Sequence, residues 1–284
     1  MKSNHFNGEF QAAGLTDIGK KRKENEDKII LVPEEGFFAV SDGMGGLRCG
    51  AEASTYVSRS MPDLITLWSK ECGESTAPEE ASENLKQIVQ MLSDALYRKG
   101  NSPYRFDYGA TLVGIWLYRD QAIYVDLGDS RGYYLPAGSD ELIQITQDMN
   151  IAGILVRNGQ MTKEEAAASR ASSRLTAFVG MEEPATPEVF LRQVHPGDRL
   201  LLCSDGLHGM VPEKKIVSMI RAKDDPGEIC RDLVDAANRA GGRDNISAVL
   251  IRIDQVDAPE KPEKPEITLK EEVITTLRED EPES

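Results

Sequence analysis

Cysteine is scarce, with Cys49, Cys72, Cys203 and Cys230 far apart and no C-x-x-C pair among 284 residues. Neither a zinc cage nor a disulfide framework is expected, and the four read as small core residues. No apolar run approaches the roughly 18 residues of a membrane-spanning helix. The opening MKSNHFNGEFQAAG lacks the apolar segment of a signal peptide, so a cytoplasmic location is expected. Positive charge is also short: 33 Lys and Arg against 48 Asp and Glu give a net charge of −15 and a pI near 4.8. Such a surface repels nucleic acid and anionic membrane, and suits basic partners or divalent cations better. What is present is a 40% apolar fraction, enough to build a core for one large domain or two small ones.

Residues 9–43 read as extended segments, with KIILVP and FFAV each short, apolar and closed by a turn signal. From Gly46 to about Trp68 the pattern turns helical, SKECGESTA reads as a loop, and Leu85, Ile88, Val89, Leu92 and Leu96 mark one face of a helix between Pro78 and Lys99. TLVGIWLY, AIYVDLG, RGYYLP and ELIQIT then predict an antiparallel meander of strands joined by tight turns. Residues 150–186 read as a surface excursion with a capping box at Thr162 to Glu165. Strands return at EVFLRQV and RLLLCSDG. A helix after Pro212, another capped by Asp225 with Pro226 at its first position, and a last strand ISAVLIRI complete the pattern.

This order does not alternate as a doubly wound sheet would. It predicts an α+β fold: a central β-sandwich of two antiparallel sheets flanked by helices on both sides. Residues 1–256 are expected to form the domain. Residues 257–284 are expected to be an acidic, proline-containing flexible tail, with a partner-docking stretch around Ile267 to Leu277 as the alternative.

Asp42, Asp205 and Asp244 each sit at a predicted strand end, in Ser41-Asp42-Gly43, Ser204-Asp205-Gly206 and Arg243-Asp244-Asn245. A carboxylate there projects into a cleft while glycine lets a ligand approach the backbone. Hard oxygen donors of this kind suit Mg²⁺ or Mn²⁺ rather than zinc. Each Asp-Gly alone is more simply a turn; three together, with Arg22, Glu26 and Asp27 upstream of KIILVP, point to a metal centre. A thiolate phosphatase would need Arg six positions after its cysteine, where this chain has Thr55, Pro78, Gly209 and Ala236.

Over residues 9–254 the chain resembles the protein phosphatase 2C family, in its bacterial serine/threonine form. The resemblance rests on D-x-G-x-x-R-x-x-N-E-D at Asp17 to Asp27, S-D-G-M-G-G at Ser41 to Gly46, G-A-T at Gly109 to Thr111 and G-D-S-R at Gly128 to Arg131. S-D-G at Ser204 to Gly206 and G-x-D-N at Gly242 to Asn245 follow in the family's order.

It implies a two-metal centre of Mn²⁺ or Mg²⁺, bridged by Asp42, with the Gly43 carbonyl on one ion and Asp205 and Asp244 on the other. Glu26 and Asp27 would bind or orient waters, and Arg22 would grip the phosphate with its planar fork. A bridging hydroxide would attack phosphorus in line, without a covalent enzyme intermediate. Asp129 would share a weaker third ion with Asp205; read from the residues alone it is a hairpin-turn aspartate. The implied partners are phosphorylated proteins, substrates of a serine/threonine kinase. The alternative is a catalytically silent relative that binds phosphoproteins, which loss of a metal aspartate would mark; none is lost.

Met44 stands where eukaryotic members have histidine and cannot donate a proton. His208 is the one histidine near a metal motif in sequence, a candidate proton donor or substrate contact if it is not simply a loop residue. Thr146-Gln147-Asp148-Met149-Asn150 replaces the family's T-x-D-H-S, and residues 169–173 replace H-P-x-R-N. These departures put substrate preference in question and leave the metal chemistry intact.

Overall fold

The computed structural model describes residues 1–44, 49–71, 76–100, 108–182 and 185–257. Strands β1 (Gly8–Asp17), β2 (Asp27–Val32), β3 (Phe37–Met44), β4 (Gly109–Ala110), β5 (Leu112–Tyr118), β6 (Gln121–Leu127), β7 (Arg131–Leu135), β8 (Ile143–Gln144), β9 (Glu188–Gln193), β10 (Arg199–Cys203) and β11 (Ile246–Val256) form two sheets. The first has the order β1-β11-β10-β7-β8 and the second β2-β3-β5-β6-β9, with β4 on β3. Every strand pair is antiparallel. The sandwich is the architecture expected.

Alternation along the strands assigns each residue to a layer. Phe38 and Val40 face inward, joining Phe10, Ile115, Leu202 and Ile251 between the sheets. Phe37 and Ala39 face outward beneath α1 (Cys49–Glu71) and α2 (Pro78–Gly100), which supply Val57, Met61, Leu85 and Leu92. On the other side Leu201 and Leu250 meet α6 (Glu213–Ala222) and α7 (Pro226–Arg239) through Ile216, Ile229 and Leu233. Each such large apolar side chain contributes about 1.5–3 kcal/mol by leaving water. α2 buries the predicted face, and the side chain of Asp225 caps α7 by accepting from Glu228 N at 2.7 Å.

The excursion carries α3 (Ile151–Arg157), α4 (Lys163–Ala168), with the capping box at Thr162 in place, and a 3₁₀ turn at Arg170–Ser173. The expected helix start at Gly46, residues 72–75 of the SKECGESTA loop and the tail beyond Asp257 lie outside the described residues, and Ser69 to Glu71, expected in that loop, continue α1.

The meander needs correcting. β5 and β6 form a hairpin, but β7 pairs with β10 and β8 in the other sheet. The chain therefore steps across the sandwich at Gly128–Asp129 instead of turning back. Gly128 allows this step, with φ of +139° and a would-be Cβ only 2.6 Å from Thr111. The consequence is that Asp129 stands at the mouth between the sheets and not on a hairpin.

Candidate metal centre

The starts of β2 and β11 and the ends of β3, β6 and β10 lie at one end of the sandwich, and they carry the predicted aspartates. Asp27 pairs with Asp42 across β2 and β3. Asp42 is fixed through its backbone, its N–H donating to Thr111 Oγ1 at 3.0 Å and its carbonyl accepting from Thr111 N at 2.8 Å. Asp205 opens the short helix α5 (Asp205–His208), and Asp244 precedes β11.

Burial pushes the Asp42 carboxyl well above the usual carboxylate range, reinforced by Asp27, Asp205, Asp129 and Asp244. Burial does the same to Asp205, with Asp129, Asp244 and Asp27 adding repulsion. Like charges desolvated together destabilise one another unless a cation joins them.

Asp27, 1% exposed, is pushed up to about 6 by burial, although its Oδ2 accepts from Ser204 Oγ and Ser247 Oγ, both at 2.7 Å. Its Oδ1 and the Oδ1 of Asp205 are buried without a hydrogen-bond partner. Two orphaned carboxylate oxygens among repelling hard donors fit a divalent cation. Among the described residues no three acidic, histidine or cysteine side chains are placed closely enough to hold one ion together.

Arg22 meets this charge instead. Its Nη2–H donates to Asp244 Oδ2 at 2.7 Å, and Nη1 lies 3.6 Å from Glu26 Oε2. Burial opposes its charge, but Asp244, Glu26 and Asp42 hold its pKa above the ordinary value. Gly43 and Gly50 cross so closely that a Cβ on Gly50 would lie 2.7 Å from the Gly43 carbonyl oxygen and 2.8 Å from Glu26 Oε1. The start of α1 thus lies against both Gly43 and Glu26. All the sequence-predicted residues, Arg22, Glu26, Asp27, Asp42, Gly43, Asp129, Asp205 and Asp244, come to this end.

Asp129 is held differently. Its Oδ2 accepts from Asn150 Nδ2 at 3.2 Å, while Asn150 Oδ1 caps α3 by accepting from Gly153 N at 2.8 Å. Burial pushes Asp129 up to about 6. His208 donates from Nε2 to the Asp129 carbonyl at 3.1 Å, and burial with nearby Arg131 drives its pKa down to about 3. It is a neutral ring that holds backbone, which does not suit a proton donor. Asp148, in the altered flap segment, makes a two-pronged pair with Arg131 at 2.8 and 2.7 Å.

Sequence reasoning missed the residues that hold the ligands. Asn245 accepts from Glu26 N and donates to the Ile18 and Glu24 carbonyls, lashing the β1–β2 loop to the centre. Ser204, Ser247, Thr111 and Asn150 have comparable tasks. The motifs S-D-G, G-A-T and G-x-D-N contain three of these five without revealing what they hold.

Residues 20–250 match the model of the family described as protein phosphatase 2C. The serine/threonine phosphatase stp of Listeria innocua is 32% identical over 240 residues, covering 83% of this chain and 93% of that protein. Protein phosphatase PhpP of Streptococcus pneumoniae is 30% identical over 247 residues, covering 86% and 98%. Among solved structures, the Streptococcus agalactiae serine/threonine phosphatase superposes with a TM-score of 0.77 at 27% identity, covering 87% of this chain and all of that one. The catalytic domain of PstP, solved with two manganese ions, superposes with a TM-score of 0.70 at 29% identity, covering 87% and 99%. From fold, site and relatives together, the chain belongs to the protein phosphatase 2C family.

Proposed function

We propose that this serine/threonine phosphatase removes phosphate from phosphoserine and phosphothreonine in proteins by metal-assisted hydrolysis at the carboxylate end of the sandwich. The observation that carries the reading is the gathering of Asp27 and Asp42 from two paired strands, Asp205 from a short helix and Asp244 from the turn before β11, with buried oxygens left unpaired.

Asp42, the Gly43 carbonyl, Asp205 and Asp244 would hold two Mn²⁺ or Mg²⁺ ions, and Asp129 with Asp205 a weaker third. Bound divalent ions supply Lewis acidity that makes water nucleophilic near neutral pH and offsets charge on the phosphoryl group. Glu26 and Asp27 orient water. Ser204 and Ser247 hold one oxygen of the Asp27 carboxylate and leave the other buried and unpaired. Arg22 exchanges Asp244 and Glu26 for phosphate oxygens, a fork-to-fork match that Lys would not reproduce. Neither Met44 nor the neutral His208 suits the role of acid, so the leaving alkoxide takes its proton from solvent or another nearby acid.

The test is hydrolysis of a generic phosphate ester with Mn²⁺, with and without chelator, followed by comparison of phosphothreonine, phosphoserine and phosphotyrosine peptides. Mn²⁺ should also raise the melting temperature by mass action. Hydrolysis indifferent to chelator, or an unmoved melting curve at millimolar metal, would sink the reading.

A further inference from the structure

A cleft of about 860 Å³ lies outside the carboxylate cluster, along the solvent side of α1. Its α1 lining includes Ala51, Thr55, Tyr56, Arg59, Ser60 and Asp63. Positions recurring every three to four residues form a single stripe down the helix, so the cleft is a trough parallel to the axis. Between Ala51 and Asp63 the helix rises about 18 Å.

The inner end of the trough abuts the centre. Ala51 follows Gly50, which crosses Gly43 and lies against Glu26, and Glu24 at the trough's mouth is two residues from Glu26. Lys99 and Tyr108 also line the cleft, with Lys99 Nζ 4.5 Å from the centre of the Tyr56 ring.

An extended polypeptide rises about 3.3 Å per residue, so about five residues fill the trough. Ala51, Thr55 and Ser60 leave room for a backbone between two tyrosines. The exposed carboxylate of Glu24 meets the residues nearest the reacting phosphate.

We propose that this trough binds the polypeptide on one side of the phosphorylated residue of a protein substrate, extended along α1, with a basic side chain near the phosphate facing Glu24. The proposal rests on the phosphatase reading above and adds to it a directional substrate subsite.

The experiment uses the full chain with Mn²⁺ and a set of phosphothreonine peptides. A short core is lengthened by five residues on its N-terminal or its C-terminal side, with Lys or Glu next to the phosphoresidue; a small phosphate ester serves as control. Lengthening on one side only should raise kcat/KM about tenfold, and Lys should be preferred over Glu. Ser60→Trp, which plugs the trough, should erase the gain from length. Glu24→Lys, in an exposed loop, should reverse the charge preference. Ser60→Trp should leave ester hydrolysis unchanged, and Glu24→Lys is read from the ratio of rates on the Lys and Glu peptides.

No gain from length, an equal gain on both sides, or a gain that survives Ser60→Trp overturns the proposal while leaving the phosphatase reading in place. So does a concentration-dependent dimer that Ser60→Trp dissolves with no length effect, which would make the trough a self-interface. Failure to hydrolyse even the ester takes down both readings.

Discussion

Asp27 and Asp129 are both buried, both raised to about 6, and both at the mouth of the sandwich. They are tied to different parts of the protein. Asp27 is held by serines at the end of one central strand and within another, inside a β-ladder. Asp129 is held by an asparagine that also caps a seven-residue helix of the surface excursion. One carboxylate is tied to the β-ladder, whereas the other is tied to the excursion. If Asp129 holds the accessory ion proposed above, rearrangement of that excursion would adjust that site while the principal centre keeps its geometry.

The sharpest way to break this contrast is charge removal. Asp42→Asn, Asp205→Asn or Asp244→Asn should each lower turnover at least about 1,000-fold, roughly 4 kcal/mol in barrier, with circular dichroism unchanged. Asp129→Asn should retain measurable turnover and shift only the metal-activation curve. Equal losses at Asp129 and Asp42 would erase the distinction between the two halves.

Stability gives the next largest effect. The Asp129 carboxyl is raised in the folded chain from 3.8 to about 6, so its protonated form is the one folding favours. Its contribution is complete below pH 3.8 and is lost as pH rises through about 6, a change of about 3 kcal/mol. Metal-free Asp129→Asn should therefore be more stable than the parent at pH 7, and the advantage should vanish near pH 4. Denaturant titrations at the two pH values measure it, and an advantage of the same size at both would refute the buried-charge account.

Smaller effects separate the substrate grip from the flap tie. Arg22→Ala should raise KM for small phosphate esters about tenfold with less change in kcat, because the guanidinium contacts phosphate in ground and transition states alike. Asn150→Ala should raise the half-saturating Mn²⁺ concentration a few-fold, and calorimetry should find the tight sites unchanged. The smallest effect is expected from truncation after Asp257, which should leave ester hydrolysis within about twofold, under roughly 0.5 kcal/mol. A large loss there would mean that the tail docks on the domain.

Much of the sandwich was legible because short continuous apolar runs such as Phe37 to Val40, closed by turn signals, betray strands that are apolar on both faces. The step from β6 to β7 was not, since Gly128-Asp129 looks like a turn whichever sheet receives the next strand, and strand partnership is a long-range property. The ligand aspartates announced themselves by glycine neighbours and order. Their supports did not: a lone serine such as Ser247 carries no signal until topology sets it 2.7 Å from Asp27, 220 residues away in sequence. Arg22 was read from its motif as a phosphate ligand, and the structure adds its pairing with Asp244, which no local pattern encodes.

The crossing at Gly128 has a mechanical consequence. Asp27 and Asp42 lie on strands of one sheet, Asp205 and Asp244 flank strands of the other, and Asp129 lies at the crossing between them. Ions shared among them would rivet the two sheets at one end and resist the shear by which stacked sheets slide, while at the opposite end backbone hydrogen bonds such as Asn7 N–H to the Arg119 carbonyl tie the segment entering β1 to the β5–β6 turn. Backbone amides near the mouth should then exchange with solvent far more slowly once Mn²⁺ is added, and those at the far end at nearly the same rate as before.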